Sequence, residues 1–276
     1  MATSLSIVTN SGAMRSNRSV MRSSKAVNQA VDRMSSGLRV RSASDDAAAL
    51  STAENMRAQR KGIQQAIRNA NDGVSILNTT EATYQSVSDT LVRMRELSVQ
   101  AASDGITDTE RAYLDEEFQA LTLEIDRMAS VAQFNDIQLA DGSVPSLTFQ
   151  VGYRNTGNDQ ITATLNDLQS AALGVNAETL TTRADAQDAI SVIDDAMETV
   201  SDDRTGIGTS INRLQAAISS LMIADTNFGD AVGNARDADI GAESIGFARE
   251  QVLQQAGIAM IAQSNSMAQN ALRLLS

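Results

Sequence analysis

The chain has 276 residues, a net charge of -12, and no cysteine, histidine or tryptophan. These absences exclude the usual zinc sites, cysteine nucleophiles, Ser-His-Asp triads and disulfides, and the negative charge argues against nucleic acid as a partner. A single proline in the whole sequence permits very long helices.

The N-terminal part of the chain is basic and the rest is acidic. Residues 1–41 contain seven basic residues against Asp32, a local charge of +6 that leaves -18 on the remainder. An Arg- and Ser-rich start with few acids also fits an organelle transit peptide. No apolar run long enough for a Sec-type signal follows Met1, so we expect any export to use another route.

The first predicted helix carries a coiled-coil seam, with spacings that alternate between four and three. Its members are Ala13, Asn17, Val20, Ser24, Val27, Val31, Met34 and Leu38. The polar members weaken this seam as an isolated coil. The helix is predicted to end in "SSGLRVRSASDD" at Gly37. Asp45 and Asp46 then favour a new helix N-terminus over the alternative of a metal-binding pair.

A long helix is predicted from about 45 to 101, with apolar seams at Ile63, Ile67, Ala70, Val74 and Leu77 and at Tyr84, Val87, Leu91 and Met94. "SDGITDTE" ends it. Gly105 is predicted in the left-handed conformation, and Thr107 with Glu110 in a capping box. The next helix ends near "QFNDIQLADGS" and carries Leu114, Phe118, Leu121, Ile125, Met128 and Ala132.

Residues 147–165 change to a period of two around the turn "RNTGND", which predicts one β-hairpin. The alternating apolar residues are Leu147, Phe149, Val151, Tyr153, Ile161, Ala163 and Leu165. The regular heptad that follows predicts a long helix through Ile190, Ile193, Met197, Val200, Arg204, Ile207, Ile211, Leu214, Ile218 and Leu221. The glycine-rich "FGDAVGNARDADIG" is predicted to separate it from the last helix.

The last 26 residues have no charge between Gln251 and Leu272 and contain nine large apolar side chains. A membrane span fits this length, but the many Gln, Asn and Ser amides and hydroxyls would lack partners in lipid. Because the apolar positions do not keep to one face, the helix needs neighbours on several sides. We predict that other copies of the chain supply them, and that both chain ends become fully ordered only then.

The predicted fold is mainly α: a long antiparallel coiled coil or helical bundle with one small β-hairpin and paired N- and C-terminal helices. Residues 1–42 with 232–276 would form a terminal coiled-coil domain. Residues 43–231 would form a helical outer domain with the hairpin near 147–165 and no large variable insertion.

Five stretches of this sequence resemble bacterial flagellins: "RMSSGLRVRSASDDAAAL", "IRNANDGVSILNTTEATY", "LVRMRELSVQAASDG", "EIDRMASVAQFND" and "QVLQQAGIAMIAQSNSMAQNALRLL". Together they cover roughly residues 33–142 and 204–276. The resemblance implies an extracellular filament subunit that transmits motor torque, with paired terminal helices inside and the long middle helices outside. It also implies unfolded export by the flagellar type III apparatus without a cleaved signal.

The resemblance points to two sets of interaction residues. We expect an inner assembly seam in which the first four of these residues pair with the last four: Val27, Val31, Met34, Leu38, Leu253, Met260, Met267 and Leu274. The stretch "LVRMREL" implies an outer assembly surface that a host Toll-like receptor also reads, formed by Arg93, Glu96, Leu97, Gln100 and Glu117. Val92, Ala120 and Leu121 depart there from the polar residues of strongly recognised flagellins.

The implied partners are other copies of the chain, the export apparatus, an export chaperone, the filament cap and hook-filament junction proteins. No nucleic acid, membrane span, metal or cofactor is expected. The alternatives are a hook-filament junction adaptor, a chemoreceptor-like bundle that would need a membrane or sensor module, and an enzyme. A peptidase insert would need an H-E-x-x-H zinc motif, which a chain without histidine does not contain.

Overall fold

The computed structural model describes residues 10–275, without the side chains of residues 268 and 271–275. The described helices are α1 (Ser11–Ser36), α2 (Ala43–Ala101), α3 (Asp108–Val131), α4 (Arg183–Arg236) and α5 (Ile240–Leu275). The mainly α prediction is confirmed. The chain divides into unit 1, within Met1–Ala58 and Phe228–Ser276, and unit 2, Gln59–Asn227. Both α2 and α4 contribute residues to each unit, and the boundaries of the units fall at other residues than those of the predicted domains.

The break between α1 and α2 forms as the sequence predicts. Gly37 ends α1 in the left-handed conformation, with φ of 69°. Asp45 Oδ2 accepts hydrogen bonds from the amides of Arg41 and Ser42, each at 3.1 Å, and these bonds hold the pKa of Asp45 below its ordinary value. Asp46 Oδ1 accepts from the Ala49 amide at 2.9 Å. Both carboxylates therefore stabilise the start of α2.

The end of α2 differs from the prediction. Gly105 is not among the glycines with positive φ. Instead, the buried Arg111 of α3 donates from Nε to the Ala101 carbonyl at 2.8 Å and from Nη2 to the Ser103 carbonyl at 2.9 Å. A cation that satisfies the last carbonyls of a helix replaces the glycine cap. The Thr107–Glu110 capping box is confirmed.

The predicted hairpin is present as strands β3 (Ser146–Gln150) and β4 (Gln160–Thr164), paired antiparallel with Phe149 opposite Ile161. Two further short strands, β1 (Gln133–Phe134) and β2 (Ile137–Gln138), form an unexpected antiparallel ladder. Its turn residues Asn135 and Asp136 both have positive φ. Asn and Asp tolerate that conformation, so "ND" between apolar residues was the missed signal.

Helix α4 is longer than predicted and continues through most of "FGDAVGNARDADIG" to Arg236. Each glycine inside a helix lowers its stability by about 1 kcal/mol, but the carbonyl at the end of α4 has hydrogen-bond partners. The Arg236 carbonyl accepts hydrogen bonds from the amides of Arg39 at 2.7 Å and Val40 at 3.2 Å. The predicted separation is therefore confined to the few residues before Ile240.

The core of unit 2 is formed by the predicted seams of α2, α3 and α4 together with the hairpin. Tyr84 is fully buried in it. Its hydroxyl donates to the Asn166 carbonyl at 2.9 Å and accepts from the Asn166 amide at 3.0 Å. Burial raises the pKa of Tyr84 to about 12, which keeps the donor protonated. One side chain thus fixes the residues after β4 against α2.

We expect Tyr84→Phe to lower the free energy of unfolding of unit 2 by about 1 kcal/mol, because both backbone groups of Asn166 lose a partly buried hydrogen bond to the Tyr84 hydroxyl. Urea denaturation followed by circular dichroism measures the change. Tyr113→Phe is the matched control, since Tyr113 is exposed. Equal effects of the two substitutions would contradict the assigned role of the Tyr84 hydroxyl.

Candidate assembly surfaces

The terminal coil, by which we mean the pair α1 and α5, is antiparallel within unit 1. Ser264 Oγ donates to Asn10 Oδ1 at 3.0 Å near one end of the coil. Near the other end, Arg33 Nη1 lies 3.1 Å from Glu243 Oε1. The paired terminal helices of the predicted fold are therefore confirmed.

The seam of the terminal coil is narrow. A Cβ added at Gly257 would lie 2.5 Å from Val20 Cγ2, so α1 and α5 approach closely at this level. One series of half-buried positions in α5 recurs at spacings of four and three and is mostly small or polar: Glu243, Phe247, Glu250, Gln254, Gly257, Ile261 and Ser264. The other half-buried residues of α5 among those with described side chains are small as well, namely Ser244, Gly246 and Ser266. The seam consequently uses few of the large apolar residues of α5.

These large apolar side chains lie outside the seam. We call them the flank residues; they are 46% to 73% exposed and comprise Met14, Met21 and Val31 on α1 and Ile240, Ile245, Val252, Leu253, Ile258, Met260 and Met267 on α5. Heptad geometry places Met14 and Met21 on one flank of an antiparallel pair and Leu253, Met260 and Met267 on the other. Extended exposed apolar surface of this kind marks an interaction site.

The predicted α1 seam is correct at alternate positions. Val27 and Met34 are half-buried, as is Leu38, which forms an isolated bridge to Asp237. Val31 is 46% exposed, whereas Ala30 is buried. From Ala13 the buried and half-buried positions follow spacings of three then four instead of four then three, because the helix brings small residues such as Ser23 and Ala30 against α5.

The predicted pairing of this α1 seam with Leu253, Met260 and Met267 is wrong within one chain, because the three side chains are exposed on the flank of α5. The physical reason is the close contact between Gly257 and Val20, which leaves no room at this level of the coil for a larger side chain at position 257. Leu274 lies outside the residues whose side chains are described. The role of all four in contacts between copies stays a prediction.

A second surface lies on α2 and α3 of unit 2. Arg93 donates from Nη2 and Nε to Glu117 Oε1 at 2.8 and 3.0 Å, and from Nη1 to Glu96 Oε2 at 3.0 Å. The hydrogen bonds to Glu117, followed by those to Glu96, raise the pKa of Arg93. Gln100 is exposed on the same helix. The outer-surface prediction for Leu97 is wrong, because Leu97 is 1% exposed and packs in the core.

Apolar side chains are also exposed on α2 and α3, namely Val92, Val99, Tyr113, Leu123 and Val131. From the sequence, Val92 was notable only as a departure from the motif of strongly recognised flagellins. All of them except Tyr113 lie directly before or after a buried residue, which was the available signal. In the described part of the chain, no group of three or more carboxylates is placed to hold a metal ion, and no helix is suited to cross a membrane.

A terminal coil with two apolar flanks, in a chain whose other helical unit has its own core, is typical of structural subunits that associate through their termini. Residues 7–144 match the bacterial flagellin N-terminal helical region, and residues 190–275 match the bacterial flagellin C-terminal helical region. The chain therefore belongs to the bacterial flagellin family.

Individual relatives agree with this assignment. A flagellin of Halalkalibacterium halodurans is 39% identical over 90% of this chain and 91% of its own length. A flagellar filament core protein of Brachyspira hyodysenteriae is 36% identical over 88% of this chain and 90% of its own. The crystal structure of Bacillus cereus flagellin superposes with a TM-score of 0.51 and 30% identity, covering 56% of this chain and 88% of that one.

Proposed function

We propose that this chain is the structural subunit of an extracellular bacterial flagellar filament, with the terminal coil inside the polymer and unit 2 outside. The observation that carries this proposal is the terminal coil, whose seam is closed while its flank residues stay exposed. A helical polymer surrounds each subunit with several copies of itself, so it covers two flanks at once. A single closed dimer contact covers only one.

In the filament, the subunit transmits motor torque through rigid packing of its helices. Export occurs unfolded through the flagellar type III apparatus, with a chaperone before assembly and with the filament cap and hook-filament junction proteins at its two ends. The absence of cysteine supports this route, since no disulfide has to be broken before the chain passes through a narrow channel.

The surface of Arg93, Glu96, Gln100 and Glu117 makes contacts between copies in the outer wall. A host Toll-like receptor that bound the same face would compete with assembly and would read only free subunits. All four side chains are exposed, which both roles require. Leu97 has no place in either contact, because it is buried.

Polymerisation of the purified full-length chain tests the proposed function. We expect protein concentrated with ammonium sulfate to form long filaments of uniform diameter in electron micrographs, which sediment and dissociate again on heating. Sheared cell-surface filaments should contain the chain as an abundant protein, whereas a junction adaptor would be present in few copies. Protein that stays monomeric or forms only amorphous aggregate would contradict the proposal.

A further inference from the structure

Methionine supplies much of the exposed surface of the terminal coil. Met14 and Met21 lie seven residues apart on α1, and Met260 and Met267 lie seven residues apart on α5. The four side chains are 53% to 67% exposed, while Met94 in the core of unit 2 is fully buried. In the single chain the four sulfur atoms are therefore open to small molecules dissolved in water.

We propose that these four methionines are oxidation sites that control assembly: a two-electron oxidant such as hydrogen peroxide converts them to sulfoxides in the free subunit, and the oxidised subunit no longer polymerises. This inference rests on the proposed function, because it assigns the flank residues to contacts between copies. It adds a chemical state of the subunit in which these contacts cannot form.

The reaction needs no group beyond the thioether and the peroxide. The sulfur lone pair attacks one peroxide oxygen, the O–O bond breaks and an S–O bond forms. The second oxygen leaves and takes up the proton as water. Sulfur loses two electrons, and the peroxide is reduced by two. Methionine sulfoxide reductases reverse the modification: a dithiol supplies two electrons and two protons and becomes a disulfide, the S–O bond breaks, and the oxygen leaves as water.

The change opposes assembly because a sulfoxide is polar, whereas the surface it occupies must be dehydrated in a contact. Met is a flexible apolar side chain well suited to interfaces, and its oxidation disrupts them. A polar oxygen buried without a hydrogen bond is costly. Since two methionines lie on each flank, both sets of contacts of every subunit are affected.

The fold of the free subunit should survive oxidation. None of the four side chains lies in the seam of the terminal coil, where Met34 is half-buried. Oxidation of an assembled filament should also be slow, because the neighbouring copies cover the four sulfur atoms. The sensitive period is therefore the interval between export and incorporation.

The experiment treats full-length protein with hydrogen peroxide either as monomer or after polymerisation. Peptide mass spectrometry locates the sulfoxides, and sedimentation measures the critical concentration for polymerisation. We expect oxidised monomer to keep its circular dichroism spectrum while its critical concentration rises at least roughly 100-fold. Filaments given the same dose should stay assembled and keep the four methionines reduced.

Two variants assign the effect to these sites. The fourfold variant, which combines Met14→Leu, Met21→Leu, Met260→Leu and Met267→Leu, should polymerise before and after peroxide. Met222→Leu is the matched control, because Met222 is equally exposed but lies in unit 2; it should remain sensitive. If the untreated fourfold variant fails to polymerise, a second measurement takes its place. Oxidised wild-type protein is treated with methionine sulfoxide reductases and a dithiol reductant, and it should regain polymerisation.

Untreated wild-type protein separates the two proposals, since its failure to polymerise contradicts the proposed function itself. If untreated protein polymerises and oxidised protein polymerises equally well, only the inference about methionine is overturned. Peroxide sensitivity that persists in a polymerising fourfold variant overturns it too, as does failure of the reductases to restore oxidised wild type.

Discussion

Deletion of residues 251–276 is expected to abolish filament formation and leave a soluble chain with a folded unit 2. The deletion removes half of the seam, including Gln254, Gly257 and Ile261, and also the flank residues Leu253 and Met260. Unit 2 keeps all of its core, because that core lies within residues 59–227. Electron microscopy checks for filaments, and limited proteolysis checks that unit 2 resists digestion.

A double substitution distinguishes loss of the coil from loss of its flank. Leu253→Gln with Met260→Gln keeps the seam and uses a good helix former, so the monomer should retain its helix content. We expect polymerisation to be lost nonetheless, because two apolar contacts become polar on one flank. Normal filaments from the chain that lacks residues 251–276 would refute the assignment of Leu253 and Met260 to assembly.

Gly257→Leu is expected to force α1 and α5 apart and prevent polymerisation at concentrations at which wild type forms filaments. The Cβ of the new side chain would already lie 2.5 Å from Val20 Cγ2. Val20 cannot easily move away, because a β-branched side chain in a helix has little rotamer freedom. Overpacking costs about 1–3 kcal/mol, which outweighs the gain of about 1 kcal/mol from replacing a helical glycine.

Gly246→Leu on the same helix is the matched control, since nothing lies within 4 Å of a Cβ added there. It receives the same gain in helix propensity without the clash, so its helix content should rise slightly and its free energy of unfolding should not fall. Thermal denaturation followed by circular dichroism compares the two variants. Destabilisation of equal size at both positions would show that the seam is not closed at Gly257.

Most of the fold could be predicted because its cores are strictly periodic. The α2 residues Leu77, Tyr84 and Leu91 recur every seven residues, and all are buried where the sequence places them. The Thr107–Glu110 capping box and the helix start at Asp45 and Asp46 depend on residues that are close in sequence, so they could be predicted equally well. The end of α2 could not be predicted in this way, because the side chain that caps it, Arg111, belongs to the next helix.

The assembly surfaces were harder to predict from the sequence. A heptad shows which residues recur but not whether the partner helix comes from the same chain. In α5 the large residues Leu253, Met260 and Met267 form a regular series, and an inner seam was the natural interpretation. In the structure, smaller and more polar residues of α5 form the seam, because Gly257 permits close approach of α5 to α1. The prediction of Leu97 as a surface contact was wrong for a similar reason, since a match to a motif carries no information about burial.

Hydrogen exchange at the backbone amides of α1 and α5 tests most directly the central claim that other copies of the chain complete the terminal coil. The measurement compares dilute monomer with assembled filament, and the amides of the unit 2 core serve as the internal reference. We predict rapid exchange in α1 and α5 of the monomer and strong protection of both helices in the filament. Protection of both helices in the monomer as strong as that of the unit 2 core would contradict the account.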